Sequence, residues 1–375
     1  MKTLPLYWIG FNLVKGIGAV RFRALLDFFG NAEMAWNAPA DALRQAGLSP
    51  KVIESLVKIR AQVSLEQVAE RIIRSGIDVL TWDDEAYPRR LKEIDQPPPV
   101  LYLRGSLALE DEWAVAIVGT RRISAYGRQV TEDLAATLAR SGVTVVSGLA
   151  RGVDAVAHQT ALKAGGRTLA VLGSGVDRIY PPEHERLAAQ IAEAGAVIGD
   201  YPPGTPPEAQ NFPPRNRIIS GLSMVVVVTE AGEESGALIT TRFAAEQGRE
   251  VFAVPGSILS PHSRGPNRLI RDGARPMLSP QDVLESLNME LVVEHRAARS
   301  ALPADPVEAQ LYEALGPEPL HVDELRHQTG LPIEKVTAAL TMMELKGLAR
   351  QMGGMSYVRV REEAAEYTAH GGPQV

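Results

Sequence analysis

The residues with the greatest chemical capacity fall where apolar runs end. The stretch VVSGLARGVDAVAHQTAL, Val145 to Leu162, starts as an apolar run, breaks at Ser147-Gly148, passes Arg151-Gly152 and enters a helical pattern at Val153-Asp154. Such a turn aims unpaired backbone N–H groups and the positive end of a helix dipole at one spot, a seat for an anion. Comparable tips are Gly119-Thr120-Arg121-Arg122, Gly173-Ser174-Gly175, Phe212-Pro213-Pro214-Arg215-Asn216-Arg217, and Ser235-Gly236 with Thr240 and Thr241. Arginine forks match phosphate oxygens two at a time. A phenylalanine exposed among them offers a face on which a base stacks, worth about 1–3 kcal/mol per base. Phosphate ligands beside a stacking platform point to nucleotides.

These tips need a scaffold that brings them together. Apolar runs at 115–119, 143–148, 168–173, 196–200, 224–230 and 250–256 alternate with helical segments such as TEDLAATLARSG, HERLAAQIAEAG and ALITTRFAAEQG. Strands that are apolar throughout and separated by helices predict a parallel sheet covered on both faces. Right-handed crossovers then put every strand-to-helix loop on one edge. The predicted class is α/β, an extended Rossmann-like core over 114–290.

The flanks read differently. Residues 1–75 predict short helices, a SAM-like or helix-hairpin-helix module in which Gly16-Ile17-Gly18 is either a phosphate-approaching hairpin or simply a helix start. Residues 76–113, with Gln96-Pro97-Pro98-Pro99, read as a connector. A charged linker over 291–304 leads to three helices and a two-stranded hairpin at 305–362, a winged-helix plan, followed by a disordered tail at 363–375. Winged helices commonly bind DNA, but residues 303–362 carry six Lys and Arg against nine Asp and Glu. That balance favours a protein contact or a spacer over phosphate neutralisation.

Composition narrows the classes. The 375-residue chain, 45% hydrophobic and 22% charged, is long enough for two or three domains. The absence of cysteine excludes disulfides, thiolate metal sites and a cysteine nucleophile, and points to a cytoplasmic address. The N-terminus has no cleavage site of the secretory kind, and no run of about 18 apolar residues predicts a membrane span. The net charge of −6 argues against a generally basic coat without excluding a local basic patch. A nicotinamide enzyme would need G-x-G-x-x-G after the first core strand, where Gly119-Thr120-Arg121-Arg122-Ile123-Ser124 stands instead. No Gly-Lys pair exists from which to build a Walker loop, and the seven histidines show no ligand spacing. No cofactor or metal is therefore expected. His158 reads as a packing or capping residue. The alternative with most substance is a nucleotide or nucleoside hydrolase, which needs a positioned carboxylate. Asp154, Glu230 and Glu234 fall near loop tips, and TEAGEESGALITT looks partly like the site of phosphoribohydrolase-like Rossmann enzymes while lacking their Pro-Gly-Gly opening.

Six ordered blocks resemble the bacterial DNA-processing protein A family (DprA, also called Smf). They are Val118-Gly119-Thr120-Arg121; Ser147 to Asp154 with His158; Leu172 to Asp177 leading to Tyr180-Pro181; Phe212 to Ser223; Ser235 to Thr240; and Val254-Pro255-Gly256 followed by Leu269-Ile270 and Gly273-Ala274. The resemblance implies a protein, not an enzyme, that binds single-stranded DNA without sequence preference. It also implies protection of incoming DNA, transfer of the strand to the RecA recombinase in natural transformation and recombination, and pairing into homodimers. Carried onto this chain, it assigns DNA contact to Gly119, Thr120, Arg121, Ser147, Gly148, Arg151, Gly152, Phe212, Arg215, Asn216, Arg217, Ser235 and Gly236. It assigns the dimer interface to Leu259, His262, Leu269 and Ile270. Two departures stand out: Asp200 where glutamate is common, and Pro182-Glu183 where a basic residue is common, which removes one phosphate contact. The anion expected at the Ser147-Gly148 turn is thus a DNA phosphate.

Overall fold

The computed structural model describes residues 4–287, 305–316, 319–345 and 348–359, and divides into a unit ending at Leu287 and a second, C-terminal unit. The linker expected at 291–304 and the tail at 363–375 lie outside the described residues.

The larger unit is built on a nine-stranded sheet. Its strands are β1 (Asp78–Thr81), β2 (Val100–Gly105), β3 (Ala114–Val118), β4 (Thr144–Ser147), β5 (Thr168–Val171), β6 (Ala196–Gly199), β7 (Val225–Val228), β8 (Glu250–Ala253) and β9 (Arg275–Pro276). They run in the order β1-β2-β6-β5-β4-β3-β7-β8-β9. All neighbours from β6 to β9 pair in parallel, so the six apolar runs read as strands form a contiguous parallel block. Every residue of β3, β4, β5, β6 and β7 is buried, which is why these runs lack polar alternation.

Fourteen helices surround this sheet among the described residues, of which six precede it, from α1 (Leu6–Leu13) and α2 (Ala19–Phe29) to α6 (Leu65–Arg74). The short α7 (Arg89–Lys92) separates β1 from β2. The crossovers are α8 (Ala125–Arg140), α9 (Val153–Lys163), α10 (Glu185–Ala194), α11 (Phe212–Gly221) and α12 (Ala237–Glu246), followed by α13 (Arg264–Arg271) and α14 (Pro280–Ser286). The chain steps from β3 outward through β4, β5 and β6, then returns to place β7 on the other side of β3. The order of strands thus reverses beside β3, and the crevice at this reversal opens at the carboxyl ends of the strands.

Residues 76–113 are not a connector. They supply β1 and β2, which extend the sheet in antiparallel register, with Leu103 opposite Asp78 on one side and Ile198 on the other. The proline run that looked like a linker ends where β2 begins, and Val100, Leu101 and Tyr102 are fully buried. Proline cannot donate to a ladder, but it does not prevent a strand from starting after it.

The N-terminal helices also have no core of their own. Trp8, Phe11, Phe22, Trp36 and Trp82 pack edge to face, with Trp8 and Phe22 centroids 4.7 Å apart, inside an apolar cluster that continues into β2, β5 and β6. Tyr102 in β2 donates its hydroxyl to Asn12 Oδ1 at 3.0 Å, and Asn12 Nδ2 donates to Asp200 O at 3.2 Å. Gly16 adopts φ +97, which only glycine takes without strain, and Gly18 caps α2.

The second unit contains helices Pro306–Ala314, Val322–Thr329 and Ile333–Leu345 with a three-stranded sheet of Leu320–His321, Ala349–Gly353 and Ser356–Arg359. Gly354 and Met355, both at φ +58, make the two-residue turn, the left-handed pairing that matches strand twist in a tight hairpin. Leu311, Leu325, Val336, Leu340 and Met343 form its core. This is the winged-helix plan expected from sequence. Among the described residues no helix is long and apolar enough to cross a membrane.

Because one apolar cluster joins the first helices to the sheet, limited proteolysis of the full chain is expected to leave residues up to about Leu287 as one protected fragment. Accumulation of a stable fragment ending near residue 75 would contradict the shared core.

Candidate nucleic-acid interface

The loop tips do converge, and the way they are held decides which of them are free to bind. After β3, Thr120 N donates to Glu230 O at 2.7 Å, and Thr120 O accepts from Val153 N at 3.2 Å, so the loops after β3, β4 and β7 are stitched together. Gly152 at φ +77 allows this approach, since a Cβ there would lie 2.3 Å from Thr120 O. Glu230, 2% exposed, accepts from Ser124 N at 2.9 Å and from Ser124 Oγ at 2.5 Å. The same Ser124 Oγ caps α8 at Gly127 N. Glu230 therefore ties the loop after β7 to the start of α8.

The Ser147-Gly148 turn already contains an anion, and it belongs to the protein. Asp154 Oδ2 accepts from Gly148 N at 3.1 Å and Ala150 N at 3.3 Å, while Ser147, fully buried, donates its hydroxyl to Ile117 O at 2.6 Å. The donors expected to hold a phosphate are thus engaged internally. Arg215 completes the arrangement: its guanidinium, 5% exposed, donates to Gly148 O at 2.8 Å and to Val171 O. Burial raises the Asp154 carboxyl above its ordinary range against the pull of Arg215 and the two N–H donors. Burial likewise lowers Arg215 to about 10, where it is still charged at neutral pH. Gly148 must be glycine because a Cβ would meet both partners at 2.8 Å.

One helical turn on, His158 is fully buried with Nδ1 2.7 Å from Thr168 Oγ1. Thr168 gives its proton to Val145 O, so Nδ1 carries the imidazole hydrogen and Nε2 is a bare acceptor with no partner in its buried surroundings. Burial first, then His184 and Arg215, depress its pKa to about 3. His158 packs the core behind the turn.

In front of this wall lies a cavity of about 670 Å³ at the carboxyl ends of the strands. Arg121, Asp154, Tyr180, Phe212, Arg215 and Asn216 line it, together with Ser235, Gly236 and Thr240. A smaller recess beside it is bounded by Arg121, Gly148, Arg151, Tyr180 and Phe212. Phe212 is half-buried rather than exposed: the Tyr180 ring lies 5.7 Å away, and the guanidinium carbons of Arg215 and Arg121 lie 5.8 and 5.9 Å from its centroid. Arg121 is exposed, with no carboxylate or hydrogen-bond partner for its guanidinium among the described residues.

Three predicted basic contacts behave differently from Arg121. Arg215 is buried and bound to the Gly148 and Val171 carbonyls rather than part of a surface track. Arg217 turns away from the cavity, pairing with Asp200 Oδ2 at 2.9 Å and donating to Gln96 O at 3.0 Å. It fastens α11 to the segment before β2. Arg151 is paired with Glu183 at 2.5 Å, both side chains about half exposed. Among the uncharged residues, Gly119, Ser235 and Gly236 line the cavity; Thr120 Oγ1 accepts from Arg122 N, and Asn216 Nδ2 donates to Gly236 O at 3.2 Å. The sequence reading did not assign Tyr180, Pro207, Ala209, Ile219 or Ile239 to the site, although all line it. Tyr180, Ile219 and Ile239 stood in recognised blocks. Pro207 and Ala209 lacked a local signal, because their role comes from the path of the loop after β6.

The residues assigned to a dimer interface are split. Leu259 is 86% exposed beside Ile258 at 85%. His262 is half-buried, with its carbonyl bound to Ala231 N, and Leu269 packs partly against the main apolar cluster while Ile270 is half-buried.

Comparison with known proteins adds the family. The model of DNA recombination-mediator protein A matches residues 78–288, starting at β1, and that of the DprA winged helix domain matches residues 295–355. The Smf protein of Synechocystis is 37% identical over 390 residues, covering 94% of this chain and 98% of its own. The chain belongs to the DprA/Smf family. Smf of Escherichia coli is 38% identical over 86% of this chain and 87% of its own. Among solved structures, DprA of Streptococcus pneumoniae superposes with a TM-score of 0.67 at 34% identity, covering 76% of this chain and 98% of that one. DNA processing protein A of Helicobacter pylori, whose structure addresses its single-stranded DNA binding mode, gives 0.52 at 31% identity over 57% of this chain and 96% of that one. The family match includes β1 and β2, in agreement with their place in the sheet.

A fully buried histidine with a depressed pKa makes stability depend on pH. The unfolded chain takes a proton near pH 6.5 that the folded chain refuses until about pH 3, so the contribution of His158 is complete above pH 6.5 and falls below it. At pH 5 the loss is about 2 kcal/mol relative to pH 7. Denaturant melts at the two pH values should show a smaller difference for His158→Gln than for the natural chain; equal differences would place the histidine outside this account.

Proposed function

We propose that this protein binds single-stranded DNA without sequence preference at the cavity on the carboxyl edge of its sheet, and does no chemistry on it. The observation that carries the reading is Arg121, without a carboxylate partner among the described residues, beside the Phe212 ring that lines that cavity. A cation free of protein carboxylates is available for a phosphate, and an aromatic wall next to it suits a base. Gly119, Thr120, Ser235, Gly236 and Asn216 contribute small or amide groups around it. Ser147, Gly148, Gly152 and Arg215 act one layer behind, by fixing the turn. Arg151 joins when phosphate displaces Glu183, an exchange that costs little because exposed ion pairs are weak.

Binding is favoured over hydrolysis by the state of the carboxylates. Two of the three candidates are committed, Asp154 to Gly148 N and Ala150 N, and Glu230 to Ser124. The relative from Helicobacter pylori, described by its single-stranded DNA binding mode, supports the same ligand. The recombination-mediator description of the family supports a role in recombination. In this reading the protein protects incoming DNA and passes it to the RecA recombinase in natural transformation, in the cytoplasm. The winged helix serves as a protein contact or spacer, consistent with its acidic balance.

Arg121→Ala is expected to weaken binding of an oligothymidine and to lower the slope of log affinity against log salt by about 0.7, the loss of one phosphate contact to a single strand. Arg215→Ala should instead lower stability, by roughly 1.5–3 kcal/mol for each charged hydrogen bond it gives to Gly148 O and Val171 O. An Arg121→Ala protein with unchanged affinity at every salt concentration would remove the central contact.

The chain also works as a homodimer in this reading, through the surface around Leu259, His262, Leu269 and Ile270. Exposed Ile258 and Leu259 are its apolar part. Leu259→Arg should sediment as a folded monomer, because the 86% exposed side chain supports nothing in the protomer, and its melting temperature should no longer depend on protein concentration. A variant that stays dimeric would rule this surface out.

A further inference from the structure

Three arginines border the recess beside the cavity, and each is held differently. Arg215 is bound to backbone carbonyls, Arg121 has no carboxylate partner among the described residues, and Arg151 is paired with Glu183. The fold prepares that pair. Glu183 lies in the short turn Pro182–His184, between Pro181, which is buried and borders the recess, and the start of α10. His184 anchors this turn: its Nδ1 lies 2.8 Å from Leu149 O, an atom that can only accept, so the imidazole donates. Leu149, two residues before Arg151, is fully buried at φ +58, a left-handed conformation uncommon for leucine. The segments that carry the two charges are thus tied together beside the pair itself. Two prolines and the histidine bond fix the backbone that presents the carboxylate, so no free loop has to be ordered for Arg151 Nε to donate to Glu183 Oε1 at 2.5 Å. The contact lowers the Glu183 carboxyl below its ordinary range and raises Arg151 above its own.

A carboxylate and a phosphodiester each carry one negative charge, and each fits an arginine fork. When a strand lies on the rim both are held close to Arg151, and the effective concentration of Glu183 there does not fall on dilution. We infer that Glu183 is a tethered competitor of the strand, which holds Arg151 while no strand is bound and recaptures it as a phosphate lifts away, and so hastens release. The inference rests on the reading of this rim as a single-strand site. It goes further by giving one acidic side chain control over how long the strand stays. Exchange of one anion for another at an exposed arginine costs little, so the effect falls on the rate of release and on salt dependence more than on whether the strand binds. An arginine neutralised in advance adds little to the positive charge that a strand meets. Arg151 therefore contributes little to the salt slope of the natural chain.

A labelled oligothymidine bound to the full chain is chased with an excess of the unlabelled oligomer, and its affinity is measured across a series of salt concentrations. Glu183→Gln keeps the size of the side chain and removes its charge. It is expected to bind roughly three- to fivefold more tightly, mainly through slower release, and to steepen the salt slope by about 0.7. In an Arg151→Gln chain the same change should alter affinity by less than about twofold, because the residue that Glu183 masks is gone. Glu185→Gln removes an equal charge from an exposed side chain two residues on that pairs with no arginine among the described residues, and it should also alter affinity by less than about twofold. Arg151 and Glu183 are both about half exposed, so the variants keep the fold, which their melting curves check. A Glu183→Gln chain that binds no more tightly than the natural one overturns the competitor and leaves strand binding intact. An equal gain from Glu185→Gln, or a gain that persists without Arg151, also overturns it, since general charge then accounts for the effect. A gain confined to faster association overturns the role in release. If neither the natural chain nor Glu183→Gln binds the oligomer, the strand reading itself fails and the competitor falls with it.

Discussion

Asp154 closes the turn after β4 by accepting from Gly148 N and Ala150 N, and Arg215 from α11 holds the same turn from its other side by donating to carbonyls at the ends of β4 and β5. Three segments distant in sequence meet at this turn. Both groups are buried, and each favours the charged form of the other through space. The position of Phe212, three residues before Arg215 on the same helix, follows from where Arg215 holds α11.

On the other side of β3, Glu230 plays a comparable part by bonding Ser124 and leaving its own carbonyl to Thr120 N. The two internal carboxylates satisfy donors that would otherwise face an incoming phosphate. A loop edge read as a row of open anion seats is an internally bonded rim instead, from which Arg121 projects without a carboxylate partner among the described residues. Fixing the rim in this way orients the cation and the aromatic wall before any ligand arrives, which lowers the ordering cost of binding.

The sheet makes the rim possible. Its return from β6 to β7 across β3 opens the crevice, and β1 and β2 extend the far edge so that the N-terminal aromatic cluster packs on the same core. Arg217 links these levels, since it joins α11 to Gln96, just before β2, and to Asp200, just after β6.

The sequence by itself determined the parallel block, the edge on which the loops meet, the winged-helix plan and the family. Those conclusions depend on patterns local to the chain: apolar runs buried on both faces, glycines at tight turns, helical spacing, ordered blocks of residues. It did not distinguish an arginine that binds a ligand from one that binds the protein. Arg121, Arg151, Arg215 and Arg217 look alike in sequence, and only the fold shows that one has no partner among the described residues, one is paired at the surface, one is buried against the Gly148 and Val171 carbonyls and one is turned toward Asp200. The strand at 100–105 was hidden for a related reason, because its partners β1 and β6 are decided by pairing and not by the prolines before it. Composition and period report what a residue can do, whereas the partner it meets is set by contacts between segments far apart in the chain, and those exist only in the folded molecule.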